Sequence, residues 1–443
     1  MTKQRTAILL FLFMVGSVEA AAKSNPVSLP QGPLSLQSCI EFALEHNPAT
    51  RSAWLAGRSA EEDVGIQKAS LYPSVSAGAS LTTSGDLTSD SSRQQDGTWV
   101  SAGFSVRYLL FDGGARRGRI HQAKARLEIA GLRHLSKVLD VALSVQEAYF
   151  AAQGALWFQQ VVEQIIDQTR YQHQLASARY EVGLARRYDM IQAEARLAES
   201  EVNRSSAAGQ VRESTGRLLK AMGMDPRTPV ELLSLSDKPE ALPLSDVDWF
   251  MEQAVAHRPE LAEAKAVVQE ALASVQVARS GHMPAVTADA YAGTSYNREL
   301  GSGVPWSAGV GVSIPLFSGF APTHEIRKAR FEEEKAREDL KGKVTDIQFE
   351  VWSAYQQVVV SRDSVLAADK LYGAAEEGVL LAEENYRNGM GTIVEVFDAQ
   401  GVRAYAGLKR VEVRTEGLLA MARLERSVAA ALGGAASGTG EVR

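Results

Sequence analysis

"WSAGVGVSIPLF", residues 306 to 317, alternates strictly: Trp306, Ala308, Val310, Val312, Ile314 and Leu316 are apolar, while Ser307, Gly309, Gly311 and Ser313 are small or polar. A period of two over such a stretch predicts a β-strand with one apolar and one wet face. The sequence on both sides has the periodicity of long helices, so the strand's partners must come from elsewhere in the chain. One lies 206 residues earlier, where "SAGFSVRYLLFDGG" at 101–114 matches "SAGVGVSIPLFSGF" at 307–320. The same offset carries Ala148-Tyr149 onto Ala354-Tyr355, Tyr180 onto Tyr386, Gly183 onto Gly389 and Ala193 onto Ala399.

The chain is therefore an internal repeat, which constrains every later inference. Upstream, "IEFALEHNP" at 40–48 matches "MEQAVAHRP" at 251–259, and "LYPSVSAGA" at 71–79 matches "HMPAVTADA" at 282–290, at an offset of 211. The change of offset falls in 80–100 and 291–306, stretches rich in Ser, Gly, Asp and Asn that read as loops. Each half has the order helix, strand, polar loop, strand, long helix, turn, long helix. Val75, Ala77, Ala79 and Leu81 mark the apolar face of the first strand; Ala102, Phe104, Val106, Tyr108 and Leu110 that of the second; Val286, Ala288, Ala290 and Ala292 that of the third. The opposite faces carry Ser, Thr, Gly, Arg107 and Asp289.

The helices are as regular as the strands. Val344, Val351, Val358, Val365, Tyr372, Val379 and Tyr386 recur every seven residues, with Leu340, Ile347, Ala354, Ala368, Ala375 and Ala382 in the second seam position. This is a sustained heptad. Val138, Val145, Ala152, Ile166 and Tyr180, with Val141, Ala148, Ala155, Val162 and Ala176, echo it in the first half. The pattern predicts helices over 114–181 and 320–387, each about 100 Å long at 1.5 Å per residue.

Residues 1–20, "MTKQRTAILLFLFMVGSVEA", read as a secretory leader: Lys3 and Arg5, an apolar run from Ala7 to Val15, and small residues before a cleavage expected after Ala20. The single cysteine, Cys39, lies well past that run, which predicts neither a lipid anchor nor a disulfide. The net charge of −6 is no footprint for nucleic acid. The seven histidines show no i, i+4 metal spacing, and the sequence has no H-E-x-x-H, G-x-S-x-G or P-loop, so no catalysis, metal or cofactor is expected. His46 and His257 occupy matching positions before the repeat prolines and read as caps or packing residues.

Strands of about 10 to 14 residues are long enough to cross a hydrocarbon layer when tilted. Four are too few to close a barrel, and an open edge is not tolerated in lipid. Two copies would give eight strands and a filled interior, three would give twelve and a lumen. A soluble sandwich with a single buried face is the alternative that this alternation leaves open.

Taken together, the leader, the "NP" and "HRPEL" helices, the joints "LFDGG" and "LFSGF", and the turns "RYEVGL" and "NYRNGMGTIVEVFDAQ" resemble the TolC-type outer membrane efflux protein family over roughly residues 35 to 433. The resemblance implies a mainly α fold with a small β part: two structural repeats whose long antiparallel helical hairpins form an α-barrel, plus four strands per chain in a trimeric twelve-stranded membrane β-barrel. It implies passive export from the periplasm through the outer membrane by a homotrimer set in outer membrane lipid. That homotrimer would dock to a periplasmic adaptor and an inner membrane transporter of an efflux or type I secretion system. A secreted structural coiled coil or adhesin without a channel is the alternative. The boundaries expected are a leader (1–20), an amino-terminal segment and helix (21–70), strands 1 and 2 with an extracellular loop (71–111), a long hairpin (112–224), an equatorial linker (225–248), a helix (249–281), strands 3 and 4 with a loop (282–317), a second hairpin (318–432) and a disordered tail (433–443).

Gly183 and Gly389 break the heptads as left-handed caps would. Six residues past each stands a carboxylate, Asp189 and Glu395, and Asp398 shares a helix face with Glu395. Helix-start acids that complement the helix dipole are the plain reading of such residues. In the family the corresponding acids form a constricted periplasmic entrance, latched to Tyr and Arg on neighbouring helices, which makes Asp189, Tyr386, Glu395 and Asp398 gate candidates. An Arg that some members place two residues after the turn glycine is Gly391 here, so Arg186 or Arg187 is expected to supply the latch. The tips, Gly183 with Leu184 and Gly389 with Met390, are the expected adaptor-docking points.

Overall fold

The computed structural model describes residues 32–84, 97–234, 246–297 and 301–429. The leader, the tail, and parts of both strand loops and of the linker lie outside the described residues. The first half contains α1 (Leu36–His46), α2 (Pro48–Ala69), β1 (Ser74–Ser84), β2 (Gly97–Phe111), α3 (Ala115–Glu181) and α4 (Arg187–Ala221). The second contains α5 (Val247–His257), α6 (Pro259–Ser280), β3 (Ala285–Asn297), β4 (Gly301–Gly303), β5 (Trp306–Ser313), α7 (Ala321–Arg387) and α8 (Ile393–Val428).

The repeated prolines set the first break in each half. Pro48 and Pro259 stand at the first positions of α2 and α6, where a missing N–H leaves no helical bond unmade. The stretches matched at 40–48 and 251–259 thus each straddle two helices. His46 and His257 close the preceding helices in the same way, Nδ1 of each donating to the carbonyl four residues back at 3.0 Å.

The sheet is an antiparallel meander, β1-β2-β3, with β5 and the short β4 on the far side of β3. Its register aligns the apolar residues across all four long strands: Ala79 pairs with Ala102 and Ala77 with Phe104, Phe104 with Ala292, and Ala292 with Trp306. That face lies open in the single chain, with Val75, Phe104 and Trp306 at 67%, 64% and 78% exposure. A soluble sandwich would have buried it. The opposite face is lined by serine and glycine, with hydroxyl pairs Ser76–Ser105 at 2.7 Å and Ser80–Ser101 at 2.8 Å. Two details differ from the sequence reading. The last strand ends at Ser313, before Pro315, whose missing N–H cannot join a ladder. A bulge between Leu109 and Phe111 pairs Phe111 with Val286, in the row expected for Leu110.

The helices form one layer. α3 packs against α2, α4, α6 and α8, and α7 packs against α6 and α8. α6 covers the sheet-proximal part of α3 through Arg126–Glu270 and Arg133–Glu263, both 2.7 Å. Beyond it α8 takes over through Arg423–Glu147 and Arg426–Asp140. The heptad seam of α7 is buried or half-buried throughout, with Val351 fully enclosed. Tyr180 alone among the first-half seam residues is exposed, at 40%.

Two cores form a belt midway along the layer. α1 packs Cys39, Phe42 and Ala43 against Val141, Val145 and Tyr149 of α3, with Leu218 of α4 and Met222, which caps it. α5 packs Phe250 and Ala254 against Ile347, Val351 and Leu424. The Tyr149 hydroxyl reaches the carbonyls of Leu34 at 3.2 Å and Leu233 at 3.0 Å, tying two non-helical segments to α3. Burial pushes the Cys39 thiol up to about 11. Beside the belt, Arg258 is buried and bonds Glu260 and Glu350, while Arg426 bonds Glu260 and Asp140. The network joins α3, α6, α7 and α8.

Candidate functional site

Both hairpins turn on a glycine in the left-handed region. Gly183 has φ 77° and Gly389 φ 73°, and the following N–H groups, of Leu184 and Met390, bond back to Arg179 and Asn385 at 2.8 and 2.9 Å. This six-to-one closure is the Schellman pattern. It leaves Leu184 and Met390 at 79% and 74% exposure, the outermost apolar side chains of each tip.

The carboxylates past the turns are engaged at their own helix starts. Asp189 accepts from the backbone N–H of Arg186 at 3.1 Å and from its guanidinium at 3.3 and 3.4 Å. Arg186 is thus committed to Asp189 within the chain and does not reach Tyr386, while Arg187 is the exposed first residue of α4. Glu395 forms a capping box with Thr392, each backbone N–H bonding the other's side chain at 3.3 Å. Its carboxylate lies 3.0 Å from where a Cβ on Gly391 would stand. The glycine at that position makes room for it. Asp398, one turn on, is exposed on the same face.

What joins the two hairpins is a set of arginines that sequence reading did not single out. The Arg179 guanidinium on α3 lies 4.5 Å over the ring of Tyr386 on α7. Arg196 on α4 lies 4.7 Å over Phe397 on α8, and Arg403 on α8 donates to Gln168 on α3 at 2.6 Å. Phe397 is buried with Ala176 and Ala193, so α4 and α8 meet across α3. Above that contact a cavity of about 230 Å³ is lined by Gln168, Gln172, Arg196, Asn203 and Arg403 among others. The available signal for Arg179 was its position, immediately before the repeat mate of Tyr386.

Among the described residues no cluster of His, Cys, Asp and Glu is arranged to hold a metal ion, and no helix is long and apolar enough to cross a membrane. The family model described as outer membrane efflux protein matches residues 39–224 and 250–430. The chain belongs to the outer membrane efflux protein family. Protein CyaE of Bordetella pertussis is 28% identical over 403 residues, covering 88% of this chain and 83% of its own. Alkaline protease secretion protein AprF of Pseudomonas aeruginosa is 26% identical over 413 residues, with the same coverage, 88% and 83%. The outer membrane protein VceC of Vibrio cholerae superposes with a TM-score of 0.78 at 18% identity, covering 89% of this chain and 96% of its own, which establishes the shared fold. As an outer membrane efflux protein the chain is a channel component with a small strand part in the outer membrane and a large periplasmic helical part. The adhesin alternative gives way to this membership.

Proposed function

We propose that three copies close edge to edge into a passive duct, a twelve-stranded barrel continued by a tube of helices, in which no step is catalysed. The observation that carries this reading is the sheet of four long strands and the short β4, with one apolar face, one small polar face, and two outer long strands, β1 and β5, that find no further partner among the described strands. Lipid satisfies the apolar face, and only pairing of β5 with a neighbour's β1 satisfies the edges. The narrow end is the hairpin tips. There Asp189, Tyr386, Glu395 and Asp398 line the entrance, and Gly183, Leu184, Gly389 and Met390 present themselves to a periplasmic adaptor that links the duct to an inner membrane transporter of an efflux or type I secretion system. The Arg179–Tyr386 contact supports a latch between hairpins in place of one through Arg186 or Arg187. Detergent-purified protein should have the mass of three chains and open discrete conductance steps in planar bilayers. A monomer, or recovery in the soluble fraction without detergent, would refute the duct.

A further inference from the structure

Arg107 and Asp289 are the only charged residues in β1 to β5. They stand directly opposite each other on β2 and β3, with Arg107 Nε donating to Asp289 Oδ1 at 2.7 Å. The row they share is completed by Ser74 on β1 and Gly309 on β5, neither of which has the bulk to cover them. Their side chains are accordingly 76% and 48% exposed. The row lies on the serine and glycine face, opposite the apolar one. Because Ser74 opens β1, it also lies at the end of the sheet where strands pass into helices. The rows farther along that face are uncharged: serines, glycines, Thr82, Trp99, Asn297 and Tyr291, whose hydroxyl leans over the Gly103–Gly293 pair.

We infer that the Arg107–Asp289 pair, repeated three times, is the one fixed-charge ring among the described strands and, by pairing opposite charges, keeps that level of the lumen without preference for cargo of either sign. This rests on the duct reading, in which the polar face lines the lumen. Closing the barrel covers the edges of β1 and β5 but not this face, so both groups remain in contact with whatever passes. Each pair is neutral, and charged cargo of either sign meets no net barrier there. Removing one partner leaves three like charges at a single level, and a ring of one sign favours the opposite ion.

The test uses full-length trimers in planar bilayers, with multivalent ions added on the outer side so that they meet the barrel before the helical entrance. Asp289→Asn should lower the half-blocking concentration of tripolyphosphate about threefold or more at 0.1 M salt, where screening extends about 10 Å. Arg107→Gln should do the same for spermine, and combining both changes should cancel the two effects. Channels that conduct with unchanged block in both single variants would overturn the assignment. So would single variants that fail to insert while the combined variant inserts, since the pair would then serve assembly alone. Absence of any conductance from the unaltered protein would overturn the duct reading itself, an outcome separate from these.

Discussion

The Arg179 guanidinium sits 4.5 Å above the ring of Tyr386, and the two residues belong to different hairpins, each within one turn of its tip. A cation over an aromatic face at a half-exposed site contributes about 0.5–1 kcal/mol, so three in concert would hold the entrance by roughly 1.5–3 kcal/mol. Tyr386→Ala should therefore raise the open fraction of single channels roughly ten- to hundredfold. Arg179→Gln should match it, and Arg186→Gln should not. Equal effects from Arg179 and Arg186 variants would argue against this contact as the latch.

Glu395→Gln with Asp398→Asn keeps the capping-box acceptor while removing six carboxylates from a trimeric mouth. Cation preference and block by trivalent cations added on the periplasmic side should both fall. Unchanged selectivity would return Glu395 to the capping role its hydrogen bonds already show, and Asp398 to that of an exposed residue of the first turns.

At both tip glycines a Cβ would meet nothing within 4 Å. Replacement there costs only the left-handed backbone, about 1–2 kcal/mol for an L side chain. Gly183→Gln and Gly389→Gln trimers should assemble and insert at normal yield, yet lose cross-linking to the adaptor and lose export. Export that survives both changes would place docking elsewhere.

Burial pushes the Glu260 carboxyl up, but hydrogen bonds from Arg258 and Arg426 outweigh that and hold it at about 2. A carboxylate lowered on folding stabilises fully above its unfolded value near 4.5 and loses that contribution as pH falls towards 2, at most about 3 kcal/mol per chain. The thermal stability of the purified protein should fall as pH drops through that window. Glu260→Gln should flatten the dependence while lowering stability at pH 7, because Arg258 and Arg426 lose their shared acceptor.

The helical architecture was legible because heptads report directly on packing: the stretches expected at 114–181 and 320–387 are helices at Ala115–Glu181 and Ala321–Arg387. The sheet's two faces were legible for the same reason, with period two in place of seven. Strand ends were less so. β3 runs on to Asn297 through Tyr291, Thr294 and Tyr296, where Tyr291 breaks the simple alternation of size because it covers the Gly103–Gly293 pair that spans β2 and β3. The Arg179–Tyr386 contact was not legible. Arg179 and Tyr386 are 207 positions apart, and a cation over a ring leaves no spacing signature.

The belt around Tyr149 and Val351 makes each long helix a lever. From Tyr149 to Glu181 α3 extends about 48 Å at 1.5 Å per residue, so a tilt of about 10° about that point carries the tip about 8 Å sideways. The packed cores of α1 and α5 act as the fulcrum. Little strain at the belt therefore suffices for a wide excursion at the mouth, and a modest sideways force on the tips reaches the belt multiplied by the length of the arm. Substitutions around Tyr149, far from Asp189, Tyr386, Glu395 and Asp398, should thus change the conductance of the duct as strongly as substitutions at those four residues.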